Sequence, residues 1–238
     1  MVRLIYKIER EENKNMKKIN SKGFTLIELL AVITIMGILM LVAIPAVSRT
    51  IENSRRDTFM DTARAYMNAV KNAVAADEIK CSVLKAGSTT EREDKIMSAT
   101  DAGYYYYSFV TASGNTASDL MEQGGKSSWG DANVAGQVFI KKSVGTSGRT
   151  TYEYGVVLVD EVGRGIGTFT ATSGVPTKLL PEKDLARTDV ATSNVANGKD
   201  FYTALVTNTD TGAKPTKATT KWGSNDIGTE LNSCKIVG

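Results

Sequence analysis

Residues 22–46 read KGFTLIELLAVITIMGILMLVAIPA. From Phe24 to Ile44 the run is 21 residues long and carries one charge, Glu28. A helix of about 20 apolar residues spans the hydrocarbon core of a bilayer, so this run is long enough to cross one. A secretory signal fits it poorly. The apolar core of such a signal is about 7–15 residues long and ends at small residues. Here the core is longer, and Ile44-Pro45-Ala46 puts a bulky side chain where a small one belongs. A plain anchor accounts for the length but not for the acid. A charge at the bilayer centre costs about 2.5–3.5 kcal/mol on insertion scales, and less nearer the end. An acid kept at that cost has a partner and a role.

The flanks orient the run. Residues 1–23 hold seven bases (Arg3, Lys7, Arg10, Lys14, Lys17, Lys18, Lys22) and three acids (Glu9, Glu11, Glu12). The rest of the chain holds 22 bases (29 less 7) and 23 acids (26 less 3). The whole positive excess therefore precedes the apolar run, which places the N-terminal side inside. It also leaves no clustered basic surface on the remainder, so no nucleic-acid partner is expected for that part. The chain has no histidine, which excludes Ser-His-Asp and Cys-His catalytic sets and removes the commonest general base and metal ligand.

Lys22-Gly23-Phe24-Thr25-Leu26-Ile27-Glu28 resembles the processing signal of type IV pilins and their pseudopilin relatives. The similarity covers about residues 16–45 and fades behind. It implies that a membrane-embedded prepilin peptidase cuts after Gly23 on the cytoplasmic side and that the new amine of Phe24 is N-methylated. Glu28 then becomes the fifth residue of the mature chain, where the family keeps a carboxylate. Thr25 and Pro45 join Glu28 as residues serving assembly, Pro45 standing where many pilins have a proline that kinks or locally melts the helix. Physical chemistry agrees. A neighbour's N-terminal amine neutralises Glu28 in a stacked, low-dielectric core, where a desolvated opposite charge favours both ionised forms. The pairing also penalises any register that leaves the acid alone.

Residues 1–15 suit such a leader poorly. From Met16 the leader reads MKKINSKG, with three lysines and no acid. Met16 is therefore expected to be the true start, with Arg10-Glu11-Glu12 a translated ribosome-binding site. A genuinely long leader from Met1 is the alternative.

Beyond Pro45 the pattern stays helical to about Ala76. Phe59, Ala63, Tyr66, Val70 and Val74 recur every three or four residues and form one face. Residues 82–136 read as turn-rich, with a strand at Tyr104–Val110 whose tyrosines alternate between core and surface. Gln137–Ser143, Thr151–Asp160 and Gly165–Thr172 read as strands of an antiparallel meander, turning at Gly145–Gly148 and Gly163–Gly165. A helix is expected at Pro181–Arg187, a strand at Phe201–Thr207 and a turn-rich tail at 213–238.

Several motif fragments fail. Gly163-Arg-Gly-Ile-Gly-Thr lacks the third glycine of a dinucleotide loop and no helix is expected after it. Gly125-Lys126-Ser127 lacks the first glycine of a P-loop, since Leu120 stands there. Asn208, Asp210 and Gly212 are spaced like part of a calcium loop, but Thr219 replaces its closing glutamate. No cofactor or metal is expected. Cys81 and Cys234 are the two cysteines. A domain outside the membrane sits in oxidising surroundings, where they pair; two buried thiols are the alternative.

The expected fold is α+β: a long N-terminal helix, half transmembrane and half amphipathic, packed on an antiparallel β-sheet domain. Its parts are a leader at 1–23, a transmembrane and assembly helix at 24–44, its amphipathic half at 45–76 and a β-rich head at 77–238. The resemblance implies a non-enzymatic subunit of a homo-oligomeric surface filament. Its partners are the membrane, the prepilin peptidase and an inner-membrane assembly platform. It begins as a precursor in the cytoplasmic membrane and ends on the cell surface. The alternative is a pseudopilin of a secretion or DNA-uptake apparatus, although the mature length is large for a main pseudopilin. A membrane-tethered enzyme is a third class, opposed by the missing histidine and catalytic motifs.

Overall fold

The computed structural model describes residues 23–110, 126–130, 132–170, 174–193, 195–207, 214–229 and 231–237. The chain divides into two compact units at Ser48/Arg49. One helix, α1 (Leu26–Ala75), begins in the first unit and ends in the second.

In the first unit every large apolar side chain from Phe24 to Ile44 is at least half exposed, the lowest being Val32 at 50%. In the second unit Phe59, Ala63, Tyr66, Met67, Val70, Ala73 and Val74 are buried. α1 ends at Ala75 through a Schellman turn. Glu78 N–H donates to the Ala73 carbonyl (3.0 Å) and Asp77 N–H to the Val74 carbonyl (3.2 Å), with Asp77 at φ 58° in the slot usually given to glycine. Asp77 suits a helix dipole badly at that end, but its short polar side chain tolerates the left-handed conformation.

The sheet is built from β1 (Ile79–Leu84), β2 (Arg92–Ile96), β3 (Gly103–Val110), β4 (Val134–Val144), β5 (Thr150–Asp160), β8 (Pro176–Pro181), β10 (Lys221–Trp222), β11 (Asn225–Asp226) and β12 (Leu231–Ile236). Their spatial order is β2-β1-β12-β3-β4-β5-β8-β10-β11. The short strands β6 (Gly165–Ile166), β7 (Thr168–Phe169) and β9 (Val190–Ala191) lie off this path. Of the expected meander, Gln137–Ser143 and Thr151–Asp160 fall in the antiparallel pair β4-β5, but Gly165–Thr172 is broken into the two-residue strands β6 and β7, and the sheet is mixed. β12 runs parallel to β3 and β10 parallel to β8. The tail expected to be turns supplies three strands, and the stretch expected to be turn-rich supplies β1 and β2. A short strand such as β10 is held by partners distant in sequence, which local pattern cannot register.

Two further expectations are corrected. Phe201–Thr207 is helix, not strand: it belongs to α2 (Gly198–Thr207), whose buried residues Gly198, Phe201 and Leu205 repeat every three or four positions. The aromatic and β-branched composition suggested a strand, and tertiary packing overrode it. Pro181–Arg187 is not a continuous helix. It is the end of β8 followed by two turns of 3-10 helix, Glu182–Asp184 and Arg187–Asp189.

α2 also explains why the tyrosine run does not alternate. Tyr105, Tyr106 and Tyr107 are all buried. Tyr105, Tyr107 and Phe109 pack with Phe59, Tyr66 and Val70 of α1. Tyr106 and Val110 point the other way, into a second core with Phe201 and Leu205 of α2. The sheet is covered on both faces, so apolar residues run continuously along its central strands.

The segment after β8 lies along the head portion of α1. Glu182 takes an ion pair from Lys71 (2.6 Å) and Arg187 makes one to Asp57 (2.6 Å), while Leu185 and Val190 enter the first core. The β5–β6 hairpin, where a dinucleotide loop was rejected, is closed by buried Asp160. It accepts from the amides of Val162 and Arg164, from Arg164 Nε and from Ser127 Oγ. A Cβ on Gly165 would run into the Leu158 carbonyl and the Phe59 ring.

Candidate processing and assembly site

The residues singled out for processing and assembly sit at the start of α1. Gly23 precedes the helix. No atom lies within 4 Å of a Cβ built on it, and its backbone is outside the left-handed region. Neither packing nor conformation among the described residues demands glycine there. Phe24 is 89% exposed.

Thr25 is the N-cap and Glu28 the third helical residue. Thr25 N–H and Thr25 Oγ1 both donate to Glu28 Oε2, each at 2.8 Å. Glu28 N–H donates back to Thr25 Oγ1 at 3.3 Å. This is a capping box, in which side chains at the cap and three residues on satisfy each other's backbone donors. A cap of this kind stabilises a helix start by about 1 kcal/mol, and a carboxylate in the first turn adds roughly 0.3–1 kcal/mol through the helix dipole. The sequence reading missed it, although Thr25-Leu-Ile-Glu28 spells the pattern. Both donors from Thr25 go to Oε2; among the described residues Oε1 has no partner. The acid thus has one oxygen engaged within the chain and one open.

Pro45 lies inside α1, which is helical on both sides of it. The helix is not interrupted at that point, which was one form of what the resemblance implied. The proline lacks the backbone N–H that would reach the Leu41 carbonyl.

Cys81 and Cys234 are joined by a disulfide across 153 residues of sequence. They face each other in register on β1 and β12. β1 follows α1 directly, and β12 stands between β1 and β3, so the bond fastens the C-terminal strand to the strand that leaves the helix. On the chain-entropy treatment a loop this long gives roughly 5 kcal/mol at most.

The other sequence candidates do not gather into a site. Asn208, Asp210 and Gly212 lie outside the described residues, as does Gly125. Among the described residues no three His, Cys, Asp or Glu side chains group to hold a metal. Ser127 is occupied in its bond to Asp160.

Residues 18–44 match the family described as the prokaryotic N-terminal methylation motif, which is the prepilin motif of type IV pilins and pseudopilins. No curated protein and no solved structure matches the chain.

Proposed function

We propose that the chain is the structural subunit of a type IV pilus. In this reading a prepilin peptidase cuts after Gly23, the amine of Phe24 is methylated, and an inner-membrane platform passes the subunit into a helical filament on the cell surface. The observation that carries it is the pairing of the matched motif with a helix half whose apolar side chains have no cover among the described residues. From Phe24 to Ile44 no large side chain is less than half exposed, so the segment needs a cover. Lipid covers it before assembly and neighbouring helices cover it afterwards.

Glu28 fits both settings. In the membrane its Oε2 is held by Thr25, which reduces the cost of carrying an acid there. In the filament its free Oε1 receives the cationic amine of a neighbour's Phe24. A buried charge deprived of its partner costs about 3–5 kcal/mol, so the pair sets the axial register. Electron microscopy of sheared surface material, with immunogold against the head, tests the reading. Labelled filaments that vanish on deletion support it. Processed protein confined to the envelope, with no surface filament, points instead to a pseudopilus.

A further inference from the structure

A cleft of about 300 Å³ opens in the head where β8 leaves β5. Tyr152, Glu153 and Tyr154 line it. Successive side chains of a strand point to opposite faces, so three consecutive residues share one cleft only at a strand edge. The register shows why an edge is there. β4 pairs with all of β5 on one side, while β8 meets β5 only at Gly155 and Val156, through Pro181 and Leu180. Beyond Pro181 the chain turns into 3-10 helix, and Glu182 and Lys183 form the opposite wall, with Lys71 of α1 completing it.

The lining chemistry selects a ligand class. Lys71 and Lys183 balance Glu153 and Glu182, so the cleft has no net charge with which to draw an anion or a cation. Lys71 is paired with Glu182 and Glu153 Oε1 takes a long contact of 3.4 Å from Lys141, so the lining offers the Lys183 ammonium and the tyrosine phenols as donors and Glu153 as an acceptor. Tyr152 and Tyr154, two apart on one strand, present their rings to the same side. Both rings are held in place: Lys71 Nζ lies 5.5 Å from the Tyr154 centroid and Lys142 Nζ lies 6.0 Å from that of Tyr152. Lys142 is itself fixed, since it is buried and donates to the carbonyls of Met97, Ser98 and Thr100. The Tyr154 phenol is a donor at neutral pH, as any tyrosine is, and burial pushes its pKa further up, to about 12. A neutral ligand with many hydroxyls, each donor and acceptor, and an apolar C–H face for an aromatic ring matches these features. That is a pyranose.

We infer that this cleft binds a neutral saccharide, its ring stacked on Tyr152 and Tyr154 and its hydroxyls bonded by Glu153 and Lys183, beside the Lys71–Glu182 ion pair. A single sugar of about a dozen heavy atoms binds with a dissociation constant on the order of 1 mM. A filament repeating the site would multiply that through avidity; the site itself belongs to one chain and does not depend on assembly. The test is saturation-transfer NMR on the full-length protein in a phosphocholine detergent, which carries no sugar headgroup. The probes are glucose, galactose, mannose, N-acetylglucosamine and N-acetylgalactosamine at millimolar concentration. At least one should show transfer that falls several-fold in Tyr154→Ala and in Lys183→Glu, and persists in Lys199→Ala, an exposed site on α2. Lys183 is exposed, so its variant keeps the core intact if Tyr154→Ala unfolds. Transfer to none of the five sugars, or transfer equally strong in Lys183→Glu, overturns the inference.

Discussion

The two halves of α1 are one helix in two solvents. From Phe24 to Ile44 the helix is apolar all round and its side chains are exposed; from Phe59 to Val74 it is amphipathic and its apolar stripe is buried against a sheet. Backbone geometry is the same in both. What differs is where the burial free energy comes from. The second half draws it from tertiary contacts within the chain. Among the described residues, the first half buries none of its large apolar side chains from Phe24 to Ile44. Substitutions should therefore act on different observables in the two halves.

The largest effect is expected at the boundary of the first half. Gly23→Val should abolish cleavage, because a peptidase pocket shaped for glycine has no room for a branched side chain. The chain itself has open space there, so the head should fold as before. An immunoblot should show only precursor in the membrane; a mature-sized band breaks the reading.

Glu28 comes next. Glu28→Leu removes both the cap and the charge, while Glu28→Gln keeps an N3 residue able to serve the capping box and loses only the charge. Both variants should insert and be cleaved, and both should fail in assembly. Sheared filament yield against cleaved monomer is the measurement. If glutamine assembles normally and leucine does not, the acid is there for the cap and not for a neighbour's amine.

The disulfide sharpens the comparison from the side of the head. Cys81→Ser with Cys234→Ser should cost about 2–5 kcal/mol of head stability and abolish the mobility difference between reduced and unreduced protein on a gel. Full labelling of both thiols in native wild-type protein would show that the bond is absent in solution.

Core truncation separates the halves most directly. Leu205→Ala, in the second core, should cost about 2–5 kcal/mol and lower the melting temperature of the head. Leu39→Ala, at a side chain 63% exposed, leaves no cavity in this chain and should leave that melting temperature unchanged. Equal shifts from both would mean that the first half also packs on its own head.

The smallest effect is a pH slope. Burial raises the Tyr154 phenol from 10.0 to about 12. The unfolded chain loses that proton near 10 and the folded chain keeps it longer. The contribution to stability is complete below pH 10 and is lost as pH rises towards 12. Denaturant titrations across that window should show falling stability, with a shallower fall in Tyr154→Phe. An unchanged slope removes Tyr154 from the account.

Local pattern alone determined the apolar span from Phe24, its lone acid, the glycine before it and the helical stripe from Phe59 to Val74. Each of these is written in consecutive residues: a run, a charge, a period of three to four. Even the Thr25–Glu28 capping box was spelled there. Only the tertiary structure decided that Phe201–Thr207 is a helix, that Tyr105, Tyr106 and Tyr107 are all buried, and that the C-terminal residues Leu231–Ile236 run parallel to β3 beside β1. The reason is that each depends on residues far away in sequence. A strand covered on both faces has no alternation to betray it, and a helix of ten residues owes its form to the sheet it covers. β12 has its place because β1 and β3 leave a gap for it, and Cys81 and Cys234 meet across that gap. The cleft beside Tyr152 and Tyr154 arose in the same way. It is a notch between strands that part company at Pro181, and no stretch of sequence contains both of its walls.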